Sequence, residues 1–333
     1  MTTAQPMIEV TGLAKSYGAI RALDGVTFDV PRGEVLGFLG PNGAGKTTTM
    51  KILTCFIAPS EGRVRVAGHD VGDSPLEVRR KVGYLPENAP LYRDMRVGEY
   101  LEFVGRVRGM ELEARRRGAA RVVERCGLGD VIDQEIRTLS KGFRQRAGLA
   151  QAMIHDPEIL ILDEPTSGLD PNQIAEIREL VREVGRERTV ILSTHHLAEV
   201  QAVAGRVLII NKGRLVADGS PGELSGDRGG IIYRVVLRQP AGGFAAAAEA
   251  LCAIPGARGV EEDRAGGAAG EITLAVRGDA EADLRAEIFA AAVGRGFTLL
   301  ELGLKKVDLE AVFRRLTTTE AGDPPGGGPK EVE

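Results

Sequence analysis

The chain has 333 residues, enough for one large domain, a smaller one and a sizeable buried core. Its 43% hydrophobic and 27% charged content is that of a globular protein, and a net charge of −4 with a pI near 5.8 excludes the overall basic character of a nucleic-acid binder. Its three cysteines, Cys55, Cys126 and Cys252, are odd in number and far apart, which excludes a disulfide framework or a zinc knuckle and fits a reducing cytosol.

The opening MTTAQPMIEV has neither a basic start nor an apolar run, so no signal peptide is expected. No stretch approaches the roughly 18 uninterrupted apolar residues of a membrane-spanning helix, so work at a membrane would go through a partner. The first strong element is EVLGFLG (34–40): short, apolar and without alternation, as a strand buried on both faces of a parallel sheet reads. EILILDE (158–164) and TVILSTHH (189–196) have the same character, and helical patterns such as IAEIRELVREVGRE (174–187) intervene. The fold class is therefore α/β with crossover helices. Ligands of such sheets sit beyond the carboxyl ends of the strands, the edge at which all three runs carry their polar residues.

Directly after the first strand comes GPNGAGKTTT (40–49), which satisfies G-x-x-x-x-G-K-[ST] in full. Gly40, Gly43 and Gly45, with Pro41, Asn42 and Ala44 between them, allow successive N–H groups to converge on phosphate oxygens. The helix that starts at Lys46, Thr47 and Thr48 adds its positive dipole end. Lys46 would reach the β- and γ-phosphates and Thr47 would offer its hydroxyl to Mg²⁺. A glycine-rich turn with a chance Lys-Thr is the competing reading, and the strand before and helix after argue against it.

Further along, ARRRGAARVVER (114–125) has a helical period and flanking acids, Glu111 and Glu113, so a solvated helix face is preferred to a nucleic-acid or lipid patch. LSKGFRQR (139–146) reads as a second phosphate-facing helix start, with Ser140 as cap. Asp163 ends the strand ILIL as a carboxylate placed to hold magnesium, and Glu164 follows it where it can orient an attacking water. His195, with His196 as its competitor, ends the third strand where an imidazole can bond a γ-phosphate. GSPGELSGDRGG (219–230) reads as a linker. A βαββαβ pattern over 231–317 then predicts a small α+β, ferredoxin-like domain, closed by the amphipathic DLEAVFRRLT (308–317). Residues 318–333, EAGDPPGGGPKEVE with its preceding residues, read as a disordered tail.

In this order, GPNGAGKTT, GYLPE, LSKGFRQR, ILILDEP, SGLD and STHH resemble the motifs of ATP-binding-cassette (ABC) ATPases, P-loop NTPases with a helical subdomain, over residues 7–220. The resemblance implies a nucleotide-binding domain at 1–220 with its helical subdomain at about 88–155, ahead of the linker that composition puts at 221–230, and ATP with Mg²⁺ as ligands. It implies that two such subunits meet head to tail, so that Ser140, Lys141, Gly142 and Phe143 face the γ-phosphate held by the other. It also assigns Tyr17 to adenine stacking, Asp170 to dimer contact, and Glu87 to magnesium and the attacking water; a core tyrosine is the alternative for Tyr17. Two departures stand out. The common signature is L-S-G-G-Q, whereas Lys141 and Phe143 occupy the third and fifth positions here, and Glu87 stands where most members carry glutamine.

GYLPENAPLY, LSKGFRQR and LDPNQI look like the branch that powers ABC-2-type permeases, near the gliding-motility-associated and multidrug-export ATPases. The expected function is an ATPase subunit, in a homodimer, that drives an integral-membrane permease from the cytoplasmic face of the cell membrane, with no nucleic acid as partner. Pro90, Leu91, Tyr92 and Met95 would form a groove for a permease helix or else pack on the helical subdomain. The rival is a soluble ABC ATPase acting on nucleic acid or ribosomes, which usually shows paired cassettes, long coiled coils or basic insertions. A GTPase is rejected because NKGR (211–214) lacks the aspartate of N-K-x-D.

Overall fold

In the computed structural model, residues 5–224, 231–238, 243–263, 270–279, 283–305, 313, 316 and 317 are described. They fall into two compact units, one of Met1–Pro221 with Phe313–Glu333 and one of Gly222–Val312.

The first unit starts with β1 (Ile8–Tyr17) and β2 (Ile20–Val30), an antiparallel pair interrupted by bulges. After β3 (Val35–Leu39) and α1 (Lys46–Leu53), β4 (Glu61–Val66) and β5 (His69–Asp70) join that pair in the order β2-β1-β4-β5. α2 (Pro75–Lys81) leads into β6 (Val82–Leu85). A helical block follows: α3 (Val97–Val107), α4 (Leu112–Arg125) and α5 (Lys141–Met153). The chain then alternates through β7 (Ile159–Asp163), α6 (Pro171–Gly185), β8 (Thr189–Thr194), α7 (Leu197–Val203), β9 (Arg206–Asn211), β10 (Arg214–Gly219) and the short α8 (Pro221–Leu224).

The central sheet runs β10-β9-β3-β8-β7-β6, parallel except for the β9–β10 hairpin. Every residue of β7 and β8 is buried, which is why those runs carry no alternation in sequence. Side-chain direction still alternates along each strand. Ile159, Ile161 and Ile191 face the antiparallel layer and α1, while Leu160, Leu162, Val190 and Leu192 face the helical block and α6. One sheet thus joins two cores.

Four of the five arginines of α4 are paired: Arg115 with Glu102 at 2.9 Å, Arg116 with Glu113 at 3.3 Å, Arg121 with Asp156 at 3.4 Å and Arg125 with Glu187 at 2.8 Å. The run is the charged outer face of a helix held to its neighbours. Among the described residues no helix is long and apolar enough to cross a membrane.

His155, just after α5, is tucked against β6, where its Nε2–H donates to the Val82 carbonyl at 3.2 Å. Burial, with the charge of Arg108 adding to it, holds its pKa down to about 4 from 6.5. Because the folded-state pKa is depressed, the stability tied to the neutral ring is present above pH 6.5 and is lost as pH falls toward 4. His155→Gln, which keeps a donor for Val82, should therefore flatten the fall in melting temperature between pH 6.5 and 4 measured for the parent. Identical slopes for the two proteins would disprove the assignment.

The second unit contains β11 (Ile231–Arg238), α9 (Gly243–Cys252), β12 (Ala257–Glu262), β13 (Glu271–Gly278), α10 (Arg285–Gly294) and β14 (Leu299–Lys305). Its sheet is fully antiparallel in the order β12-β13-β11-β14, the split βαβ arrangement. Tyr233, Val235 and Leu237 alternate into its core, where the Tyr233 hydroxyl accepts from the Leu284 N–H at 2.9 Å.

One boundary differs from the sequence expectation, which put residues up to 317 in the carboxyl-terminal domain. Phe313, Leu316 and Thr317 group with the first unit, where the Asn211 side-chain amide donates to the carbonyls of Leu316 and Thr317, both at 3.3 Å. Residues 225–230 of the expected linker, the rest of 308–317, and 318–333 lie outside the described residues.

Candidate functional site

Three neighbouring strands, β3, β8 and β7, end at one edge of the sheet, with Leu39 in register with Thr194 and Asp163 with Ser193. That register brings Gly40, His195 and Glu164 to a common place although they are far apart in sequence.

Gly40 cannot carry a side chain, since a Cβ there would stand 2.5 Å from the Ile210 carbonyl oxygen. Gly45 caps α1 with φ 112, in the left-handed region open to glycine, and leaves the first turn without a side-chain cap. The first N–H groups of α1 therefore have no intrahelical acceptor and point into the loop. Lys46 folds back over this loop. Its Nζ donates to Gly40 O at 2.8 Å and Pro41 O at 3.3 Å and meets Glu164 Oε1 at 3.2 Å, with 6% of the residue exposed.

Glu164 is 5% exposed and has φ 50, an uncommon conformation held by its N–H donating to Ser193 O at 3.0 Å. Its Oε2 lies 2.9 Å from His195 Nδ1, so each carboxylate oxygen has its own partner. Of the two histidines His195 is the one against Glu164; His196 sits at the start of α7 and its N–H donates to Thr194 Oγ1 at 3.0 Å, while its ring lies 3.9 Å from that of His195.

Asp163 is fully buried. Its Oδ1 accepts from the Ser193 hydroxyl, the Thr47 side chain bonds it as well, and Oδ2 has no partner in the chain. Burial raises its pKa, against the opposing hydrogen bonds from Ser193 and Thr47. An orphaned buried carboxylate oxygen beside a threonine hydroxyl fits a divalent cation. Among the described residues no group of three or more His, Cys, Asp or Glu could hold a metal by itself. Magnesium suits such a site because it keeps water and phosphate oxygens for most of its ligands.

A cavity of about 560 Å³ opens here, walled by Asn42, Gly43, Gly45, Lys46, Thr47, Thr48, Glu87, Glu164 and His195. Gly40 and Ala44 support the wall from behind: the Gly40 carbonyl holds Lys46, and Ala44, buried, donates its N–H to Pro41 O at 3.2 Å. Tyr17 lies at the end of β1, 47% exposed with Lys15 Nζ 5.4 Å from its ring centre, so it is no core tyrosine, yet it is outside the cavity wall. Ala22 and Ser167, unnoticed in the sequence, are in that wall. Ser193 was missed too. Its signal was present, a hydroxyl in LSTHH one position before the strand end, but its partner becomes evident only once β7 and β8 are known to be neighbours.

The second helix start stands elsewhere. Ser140 caps α5, its Oγ accepting from the Phe143 N–H at 3.3 Å, while Gly142 is buried and Lys141 exposed. None of Ser140, Lys141, Gly142 and Phe143 enters the cavity of its own chain. Asp170 caps α6, its Oδ1 accepting from the N–H groups of Asn172 and Gln173, both at 3.0 Å.

A family profile described as ABC transporter matches residues 23–167. The daunorubicin resistance ATP-binding protein DrrA3 of Streptomyces coeruleorubidus is 40% identical over 262 residues, 78% of this chain and 82% of that protein. The Nod factor export ATP-binding protein I of Ralstonia nicotianae is 36% identical over 66% of this chain and 68% of its own length. Among solved structures, the ATP binding subunit of an ABC transporter aligns with a TM-score of 0.61 at 30% identity, covering 66% of this chain and 92% of that one. The dimeric structure of the bacterial ABC transporter cassette MJ0796 aligns with a TM-score of 0.60 at 25% identity, covering 64% and 98%.

Proposed function

The chain belongs to the ABC transporter family as its ATP-binding, ATP-hydrolysing member, and from that premise we propose that two copies pair head to tail around two ATP and drive a separate membrane permease in export. One observation carries the pairing: the capped start of α5 has the free N–H groups and dipole of an anion site, yet it lies outside its own chain's phosphate cavity. A partner copy supplies the phosphate it would face.

In this reading the N–H groups of residues 43–48 grip the β- and γ-phosphates and Lys46 adds a cation beside them. Thr47, Asp163 and Glu87 would hold magnesium, which when bound neutralises phosphate charge. Glu164 orients the attacking water, because its two oxygens are pinned by Lys46 and His195 and its carboxylate cannot turn away. His195, in the cavity wall, stands beside the γ-phosphate position, and Tyr17, exposed at the end of β1, stacks on adenine. Asp170 shapes the α6 start that borders the partner.

Docking of a permease is supported by apolar surface on the helical block. Leu91 and Met95 pack onto its core, as the plainer sequence alternative had it, but Tyr92, edge-on to Phe103 at 5.1 Å, remains 55% exposed. Val107, 70% exposed, lines both a cleft of about 760 Å³ with Phe56 and Leu76 and one of about 600 Å³ with Met95 and Phe103. Arg79, Arg80 and Arg108 also line the larger cleft, and exposed apolar side chains gathered in this way mark a binding surface. The relatives named for drug resistance and Nod factor export favour an exporter, with a permease of the ABC-2 type, at the cytoplasmic face of the cell membrane.

Tagged chain recovered from detergent-solubilised membranes should bring down an integral-membrane permease. Ribosomes or DNA in its place would establish the rival reading, against which the paired arginines of α4 already weigh.

A further inference from the structure

The first turns of α5 and α6 interlock through two glycines. A Cβ on Gly142 would stand 2.7 Å from Cδ of Gln173, 2.8 Å from Nε2 and 3.0 Å from Oε1, so the Gln173 carboxamide fills the space that glycine leaves. Beside it, the Lys141 side chain lies across Gly168. Gln173 is set there by its backbone, whose N–H is held by Asp170 Oδ1 at 3.0 Å; its side chain then reaches back onto α5. Among the described residues the carboxamide makes no hydrogen bond, though it is half-buried. Phe143, by contrast, turns into the core of the helical block, with the Arg146 guanidinium 5.8 Å from its ring centre.

We propose that Gln173 is a nucleotide-contacting residue of the composite site: from α6 it places beside Ser140 and Gly142 the carboxamide that Phe143 does not provide, and it faces the ATP held by the partner copy. This rests on the head-to-tail reading above. A carboxamide carries both donors and acceptors and can bond a phosphate oxygen or a ribose hydroxyl without adding charge. Its half-buried setting against Gly142 fixes its direction, so little side-chain freedom is lost on contact.

The test uses the full chain carrying Glu164→Gln, with ATP-driven pairing followed by sedimentation across a range of ATP concentrations. Adding Gln173→Ala should raise the ATP needed for half-maximal pairing about tenfold, as loss of a hydrogen bond to a charged group would. Gln173→Glu should raise it further, about a hundredfold, because a carboxylate would face phosphate. Phe143→Gln added to Gln173→Ala should restore pairing to within about threefold of the parent. Unchanged pairing by Gln173→Ala, a glutamate no worse than alanine, or no rescue overturns the proposal. If Phe143→Gln lowers the melting temperature, the alanine–glutamate comparison decides. A parent that stays monomeric with ATP sinks the head-to-tail reading itself, and this proposal with it.

Discussion

Lys46→Ala is expected to lower ATP turnover by at least about a thousandfold, the scale on which a preorganised donor at a developing charge acts. Lys46 Nζ meets Gly40 O, Pro41 O and Glu164 Oε1 from a position that is almost fully buried. Removing it takes the cation from the phosphate position and leaves the buried Glu164 carboxylate with His195 as its remaining side-chain partner. An uncompensated buried charge is costly, so the variant should also melt at a lower temperature. Lys46→Arg should fail as well, because a planar, longer fork cannot occupy a space shaped by two carbonyls and one carboxylate. Phosphate release measured beside circular dichroism separates loss of chemistry from loss of fold. Full turnover by folded Lys46→Ala protein would mean that the cradle is misassigned.

Glu164→Gln should behave in the opposite sense toward nucleotide: ATP still binds, hydrolysis stalls, and dimers accumulate on gel filtration. The amide is close to isosteric with the carboxylate. Its oxygen can still accept from Lys46, and its NH₂ can donate to His195 Nδ1 if the imidazole proton is on Nε2. Geometry is thus retained and charge is lost. Loss of charge removes the repulsion between a buried carboxylate and the γ-phosphate and strengthens the ATP-bound pair. It also removes the group that polarises the attacking water, for which turnover should fall by about a hundredfold or more. A variant that elutes as a monomer at saturating ATP would count against the composite site and leave the single-chain cradle intact.

How much could be read beforehand varied from element to element. GPNGAGKTTT was legible because the chemistry of a phosphate loop is local: glycines, a lysine and a helix start must be consecutive. The βαββαβ order of the second unit was legible from alternation such as Tyr233, Val235 and Leu237, which records a one-sided core. The helical period read in IAEIRELVREVGRE begins at Ile174, three residues after the start of α6 at Pro171, which Asp170 and Pro171 mark with a cap-and-proline signal. The layer of β1, β2, β4 and β5 went unread. Bulges between Val10 and Leu13 and again before Lys15 break the alternation that would have marked β1. The joining of Phe313, Leu316 and Thr317 to the first unit had no local signal, since it depends on an amide at Asn211.

What the amino-acid order alone determined about this protein is its set of reactive parts: a loop able to hold phosphates, carboxylates and a histidine at strand ends, and a serine-capped helix start. Each of these is a property of a few consecutive residues and their backbone requirements. Which parts meet was decided only in three dimensions, because strand order in the sheet, β3-β8-β7, does not follow chain order. That order gives Glu164 its two partners, sets His195 against it, joins Ser193 to Asp163 and leaves Ser140 outside its own cavity. Parallel pairing ties the ends of distant strands to one edge, and a one-residue change of register would turn strand side chains such as Asp163 and Ser193 to opposite faces.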